Sequence, residues 1–220
     1  MSLQYACFIS YRGVKAAPYL QFIDDLQAIL LEESETRIGS DAVFRDKSRL
    51  EAGQLLDPAL GLNLCRSTCM IMVFIRPYFR DARDTSLWCS REFLAMTRLE
   101  GPRKAMLPGD SAITNGLIIP VIYKDRLACP PSLLQGRLYL DFSEHEKNAR
   151  RLTDVPEAVT RVKQIGTYVT DQFIALESKG DELCKTCPGF TLPSVDEARI
   201  WRAGLDAPRD ANQPPAGSLP

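Results

Sequence analysis

The sequence predicts an α/β fold: a flavodoxin-like, mostly parallel five-stranded sheet in strand order 2-1-3-4-5, with helices on both faces. Three observations carry this. Short apolar runs rich in β-formers alternate five times with segments of helical periodicity. One run, CMIMVFI at 69–75, is apolar throughout, as expected of a strand covered on both faces. Right-handed crossovers between parallel strands place helices on both faces, and 2-1-3-4-5 is the simplest five-strand arrangement.

YACFISY, residues 5–11, reads as the first buried strand. Tyr19, Phe22, Ile23, Leu26, Ile29 and Leu30 form a helical stripe. DAVFRD, 41–46, is a second short strand, followed by the loop KSRLEAGQ, 47–54. Asp57-Pro58 has the form of an N-cap with proline in the first helical position, opening a helix to about Arg66. After the third strand, residues 86–99 form an amphipathic helix, and GPRKAMLPGDSAITNG, 101–116, reads as a long Gly/Pro-rich loop. GLIIPVIY, 116–123, and RLYLDF, 137–142, are the fourth and fifth strands; Pro120 points to an edge or a bulge. A long helix from about Asp154 to Glu177 carries Val155, Val159, Val162, Ile165, Val169, Phe173 and Leu176 on one face.

Residues 1–180 form the expected domain, and 181–220 an appendage. The appendage holds a capping-box pattern, Ser194 with Glu197, before a short helix with Trp201 on its apolar face. Its last residues, DAPRDANQPPAGSLP, have too few apolar groups to offset ordering entropy and read as disordered.

Composition removes several function classes. Lys plus Arg is 27 and Asp plus Glu is 28, a balance that makes no electrostatic case for nucleic acid or an acidic membrane surface. MSLQYACFISYRG lacks the form of a signal peptide, and no run of about 18 apolar residues predicts a membrane span. Seven cysteines, an odd number scattered through apolar segments, read as reduced thiols of a cytoplasmic protein rather than as a disulfide framework. Cys184-Lys-Thr-Cys187 has the spacing of half a zinc site or of a redox pair, but a second pair is missing, so a structural role is expected. His145 stands as the one histidine, in a charged stretch; it leaves no His-rich metal site and argues against a histidine-activated nucleophile.

In the predicted sheet, ligands bind beyond the carboxyl ends of strands one and three, where the order reverses. Those ends are Ser10-Tyr11-Arg12-Gly13 and Ile75-Arg76-Pro77-Tyr78. In the helix that follows, Trp88 and Glu92 stand at i and i+4 and so share a face. A large aromatic beside a carboxylate is either core packing next to a solvated charge, or part of a binding site.

FISYRG at 8–13, VFRDKSRLEAGQ at 43–54, IRPYF at 75–79 and WCSREF at 88–93 occur in this order on these elements. Together they resemble a Toll/interleukin-1 receptor (TIR) domain of the bacterial, NAD-cleaving type, over roughly residues 4–176. Arg76 stands where a small serine is usual, and Arg45 where many relatives carry an apolar residue. The resemblance implies cleavage of NAD at the nicotinamide–ribose bond, in immune or cell-death signalling, with Glu92 as the catalytic residue. NAD is then the substrate, and neither cofactor nor metal is expected. Ser10, Tyr11, Arg12, Asp46 and Trp88 are the candidate substrate contacts. The loop with Lys47, Arg49, Leu50 and Glu51 resembles the family's assembly loop and implies homotypic TIR–TIR association. The same resemblance admits a scaffold that binds other TIR domains without catalysis. A phosphoreceiver is disfavoured, because Ile75-Arg76-Pro77 occupies the place where one needs a phosphorylatable aspartate.

The proposed chemistry is coherent on its own terms. Loss of nicotinamide builds positive charge on the ribose C1′, the electronic problem that glycosidases meet with carboxylates. The leaving group departs neutral and needs no strong acid. One carboxylate can hold the ribose hydroxyls and stabilise the cation. An aromatic such as Trp88 can stack on a flat ring, and an arginine such as Arg12 can meet phosphate or ribose oxygens.

Overall fold

The computed structural model describes residues 2–45, 55–80, 85–114, 116–134, 136–144 and 151–205, with only the backbone of Arg80. Five parallel strands run in the order β2-β1-β3-β4-β5: β1 Tyr5–Tyr11, β2 Val43–Phe44, β3 Ser67–Phe74, β4 Ile118–Ile122 and β5 Leu140–Asp141. The predicted strand order is the observed one. Among the described residues the helices are α1 Ala17–Ile38, α2 Leu56–Cys65, α3 Pro77–Arg80, α4 Trp88–Ala105, α5 Ser111–Thr114, α6 Pro131–Leu134, α7 Pro156–Glu177, α8 Gly180–Leu183 and α9 Val195–Leu205.

β3 is buried along its whole length, as its unbroken apolar run requires. α1 and α7 pack together over one face, and α2 and α4 pair over the other. The α1 stripe from Tyr19 to Leu30 is buried as its spacing predicts. α1 and α7 approach so closely at Gly166 that an added Cβ would stand 2.8 Å from the Glu33 side chain.

Several local expectations are corrected. α2 starts at Leu56, and its N-cap is Leu55, so Asp57 lies inside the first turn and its carboxylate pairs with Arg91. α4 runs on through Gly101 and Pro102 to Ala105, into the segment expected to be a loop. Proline removes a helix hydrogen bond there, but tertiary anchors hold the last turn. The buried Arg103 guanidinium donates to Cys65 O at 2.7 Å, at the carboxyl end of α2. Burial pushes its pKa down to about 10.

Glu100 is the second anchor. It receives Arg137 Nη2 at 2.5 Å and the Leu117 amide at 2.7 Å, tying α4 to the entry of β4. Pro120 is not at a sheet edge, since β4 lies between β3 and β5, and it is not bulged against β3, since the register runs unbroken from Met70–Ile118 to Phe74–Ile122. Its missing N–H is nevertheless harmless. Tyr123 N–H points to β3 and Ile122 O to β5, so alternation turns the Pro120 nitrogen toward β5. β5 begins only opposite Val121, and no ladder bond is lost.

The reading of an all-reduced cysteine set is also corrected. Cys65 and Cys187 form a disulfide across 122 residues of sequence. Cys187 therefore pairs with the end of α2 and not with Cys184, which is buried with its thiol 3.9 Å from Cys65 O. Gly61 of α2 sits below the same returning segment: a Cβ there would meet Phe190 O at 3.0 Å. The Ser194–Glu197 capping box forms, with Ser194 N–H donating to Glu197 and Glu197 N–H to Ser194 Oγ. α9 then lies against α4, its Trp201 ring stacked on Phe93 at 5.3 Å. Among the described residues no helix is long and apolar enough to cross a membrane.

The Glu100–Arg137 pair yields a prediction. Burial opposes the Glu100 charge, but Arg137 and the Leu117 and Ile118 amides more than offset it, and its pKa falls below the ordinary 4.5. The stability it contributes is therefore complete above pH 4.5 and is lost as pH falls through the depressed folded value. Glu100→Ala strands a partly buried guanidinium and is expected to cost roughly 3 kcal/mol in urea denaturation at pH 7. The deficit should shrink below pH 4, and a deficit independent of pH would contradict the assignment.

Candidate functional site

The site is built where the strand order reverses. Ser10 and Tyr11 end β1, paired in register with Met72 and Val73 of β3. Beyond β3 the chain turns through Ile75 into the single-turn α3, whose Tyr78 amide donates to Ile75 O at 2.8 Å. α4 opens from Leu87, a buried residue in the left-handed region at φ 50°, and carries Trp88 and Glu92 in its first turns.

These elements bring three side chains together. Ser10 Oγ donates to Glu92 Oε2 at 2.5 Å. The Tyr78 hydroxyl lies 2.5 Å from the same Ser10 oxygen. Ser10 is only 1% exposed and Glu92 only 6%. Burial, with Cys89 and Glu92 nearby, raises the Tyr78 pKa well above its usual value, so the phenol keeps its proton. A hydrogen bond to a charged group contributes about 1.5–3 kcal/mol, and here it offsets part of the cost of burying the carboxylate.

Trp88 is half-buried, and the Arg91 guanidinium lies over its ring, 4.7 Å from the centroid. Arg91 is fixed from two further sides. Its Nε donates to Pro193 O at 2.6 Å, and its fork binds both Asp57 oxygens at 2.9 Å. α2, α4 and the segment before α9 therefore meet at one guanidinium, next in sequence to Glu92. The sequence reading missed Arg91. Its signal was weak: an arginine on a helix reads as a surface charge until the segments that surround it are placed.

Tyr11 and Arg12 follow Ser10 at the end of β1. The Tyr11 ring is covered by Arg45, 5.1 Å from its centroid. Arg45 is buried, and donates to Asp24 Oδ1 at 2.5 Å and Gln27 Oε1 at 3.1 Å, which offsets part of the cost of burying its charge. Arg12 follows the strand end and is half-buried. The Cys89 thiol is buried and faces Tyr11 O at 3.7 Å. Asp46, Lys47, Arg49, Leu50, Glu51 and His145 lie outside the described residues. Among the described residues no group of three or more His, Cys, Asp or Glu side chains is arranged to hold a metal ion.

A cavity of about 290 Å³ lies elsewhere, beside the first residues of β4 and the middle of α7. Ile118, Arg137, Tyr139, Arg161 and Tyr168 are among its lining residues, and none of the residues around Glu92 contributes to it.

No protein-family profile matches the chain, and no curated protein does. Among solved structures, the TIR domains of the activated Roq1 resistosome directly recognizing the pathogen effector XopQ are similar. The likeness has a TM-score of 0.37 and 20% identity, and covers 80% of this chain and 93% of that one.

Arg91 supplies the test of this geometry. Arg91→Ala removes the guanidinium together with its bonds to Asp57 and Pro193 and its packing on Trp88, and is expected to cost about 3 kcal/mol through those lost contacts. Asp57 is 53% exposed, so Asp57→Asn, which keeps a neutral acceptor, should cost only about 1 kcal/mol. Chemical denaturation of the two variants checks the order. Equal losses would mean that Pro193 and Trp88 add nothing to the hold on Arg91.

Proposed function

We propose that this chain is a TIR-type NAD glycohydrolase that cleaves the nicotinamide–ribose bond, with Glu92 as the carboxylate that stabilises the ribosyl cation. The observation that carries the reading is the placement of Glu92. The Glu92 carboxylate, held by Ser10, stands at the carboxyl ends of β1 and β3 where the strand order reverses. Three of the TIR-like sequence motifs, FISYRG, IRPYF and WCSREF, fall on the end of β1, on the turn into α3 and on the start of α4, which build this corner.

In the proposed reaction NAD enters with its nicotinamide riboside toward Glu92. The carboxylate hydrogen-bonds ribose hydroxyls and balances the charge that develops as the C1′–N bond breaks. Nicotinamide leaves neutral with the bonding electron pair. Water, or an atom of the same nucleotide, then attacks C1′ to give ADP-ribose or a cyclic isomer. Trp88 and Arg12 are the proposed contacts for a ring and an oxyanion, and Tyr11 and Asp46 are proposed as further substrate contacts. Proposed activation is by homotypic assembly through residues 47–54, in an immune or cell-death response inside the cell.

A second reading is favoured by one observation. Glu92 is 6% exposed with its carboxylate engaged by Ser10, so the isolated chain holds it as a structural group. A TIR scaffold that associates with other TIR domains, without cleaving NAD, has no need of an open carboxylate.

Incubation with NAD and detection of nicotinamide separates the two. Glu92→Gln keeps the shape and an acceptor but loses the charge, and it should lower release by about 100-fold or more with the circular dichroism spectrum unchanged. A folded Glu92→Gln protein with wild-type turnover would remove Glu92 from the mechanism, and a wild-type chain with no release at any concentration favours the scaffold.

Because the carboxylate is closed off within one chain, release should rise more than linearly with protein concentration. Initial rates over a hundredfold dilution series, with light scattering on the same samples, test this. Linear rates from a monomer would mean that the site opens without a partner copy.

A further inference from the structure

We infer that Tyr78 is a positioning residue for Glu92, acting through the Ser10 hydroxyl; the inference rests on the glycohydrolase reading. The geometry is a chain of two short hydrogen bonds, Tyr78 to Ser10 and Ser10 to Glu92, each 2.5 Å. Serine has one hydroxyl proton and two acceptor lone pairs. The Ser10 proton goes to the Glu92 carboxylate, which only accepts when ionised, so Tyr78 must donate to Ser10. A donor on the serine oxygen leaves its rotor one favourable orientation and polarises its O–H toward the carboxylate. Tyr78 thus determines which way the serine proton points, and the serine proton holds Glu92 Oε2 and with it the orientation of the carboxylate.

The phenol is itself held in place. Its ring packs edge-on against Phe79 at 4.5 Å, and Phe79 meets Trp201 of α9 at 5.3 Å and Phe93 of α4 at 5.8 Å. Arg202 donates to Phe79 O at 3.3 Å. α9 therefore supports the one-turn helix that carries the relay's first donor.

The test uses the full chain and three variants, Tyr78→Phe, Ser10→Ala and the double variant. Tyr78→Phe keeps the ring and its packing, so folding is not at stake. It should lower kcat for nicotinamide release by about tenfold, the worth of one charge-linked hydrogen bond, with KM for NAD unchanged within about twofold because the phenol does not touch substrate. The double variant should be no slower than Ser10→Ala, since Tyr78 acts only through the serine. Multiplicative losses, or a raised KM with kcat intact, would overturn the relay.

A readout independent of activity is the hydroxyl proton of Tyr78 in ¹H NMR. In a buried hydrogen bond it should be protected from exchange, and it should shift in Ser10→Ala and in Glu92→Gln. A resonance that ignores both changes overturns the relay whatever the activity. A resonance that responds to both, in a wild-type chain that releases no nicotinamide, overturns the glycohydrolase reading and leaves the relay standing.

Discussion

Two apolar strands, Tyr5–Tyr11 and Ser67–Phe74, lie side by side in parallel, and β3 is buried on both faces. Parallel neighbours cannot be joined by a hairpin, so the chain must cross over between them, and the crossovers supply the helices that cover each face. The same pairing puts the carboxyl ends of β1 and β3 together. Whatever leaves those ends must do so side by side: Ser10 and Tyr11 from one, the turn to Tyr78 from the other. The Ser10–Tyr78–Glu92 cluster follows from this constraint once α4 is laid across the strand ends.

Laying α4 there depends on side chains that would ordinarily be solvated. Arg91, Glu100 and Arg103 all face inward, and each finds a partner on a different element: Asp57 of α2 with Pro193, the β4 amides with Arg137, and the carbonyl of Cys65. Buried charges of this kind add little net stability compared with apolar packing, but losing one partner is costly. Their effect is to fix the rotation and register of α4, and with them the direction of Glu92. A helix held only by leucines could turn by a few degrees at small cost; one held by three forked or charged contacts cannot.

The appendage belongs to the same logic. The Cys65–Cys187 disulfide returns the chain to the end of α2, Pro193 reaches Arg91, and Trp201 closes over Phe79 and Phe93. The residues after α7 therefore touch both the guanidinium beside Glu92 and the short helix that presents Tyr78.

Much of this was legible in the sequence, for reasons of periodicity. Unbroken apolar runs, the stripe from Tyr19 to Leu30, the face from Val162 to Leu176 and the Ser194–Glu197 box are local patterns, and each formed because burial and capping act over a few residues. The strand order followed from the alternation of those patterns. Tertiary structure alone decided the rest. Helix α4 ran through Gly101-Pro102 because distant carbonyls and amides anchor its end, and Cys187 paired with Cys65 because the chain returns there, across 122 residues. Likewise, Glu92 was placed against Ser10 and Tyr78 by partners 82 residues away and on a different helix. Spacing reports only what neighbours in sequence can reach; which charges are buried, and against what, is fixed by contacts that exist only after the sheet has formed.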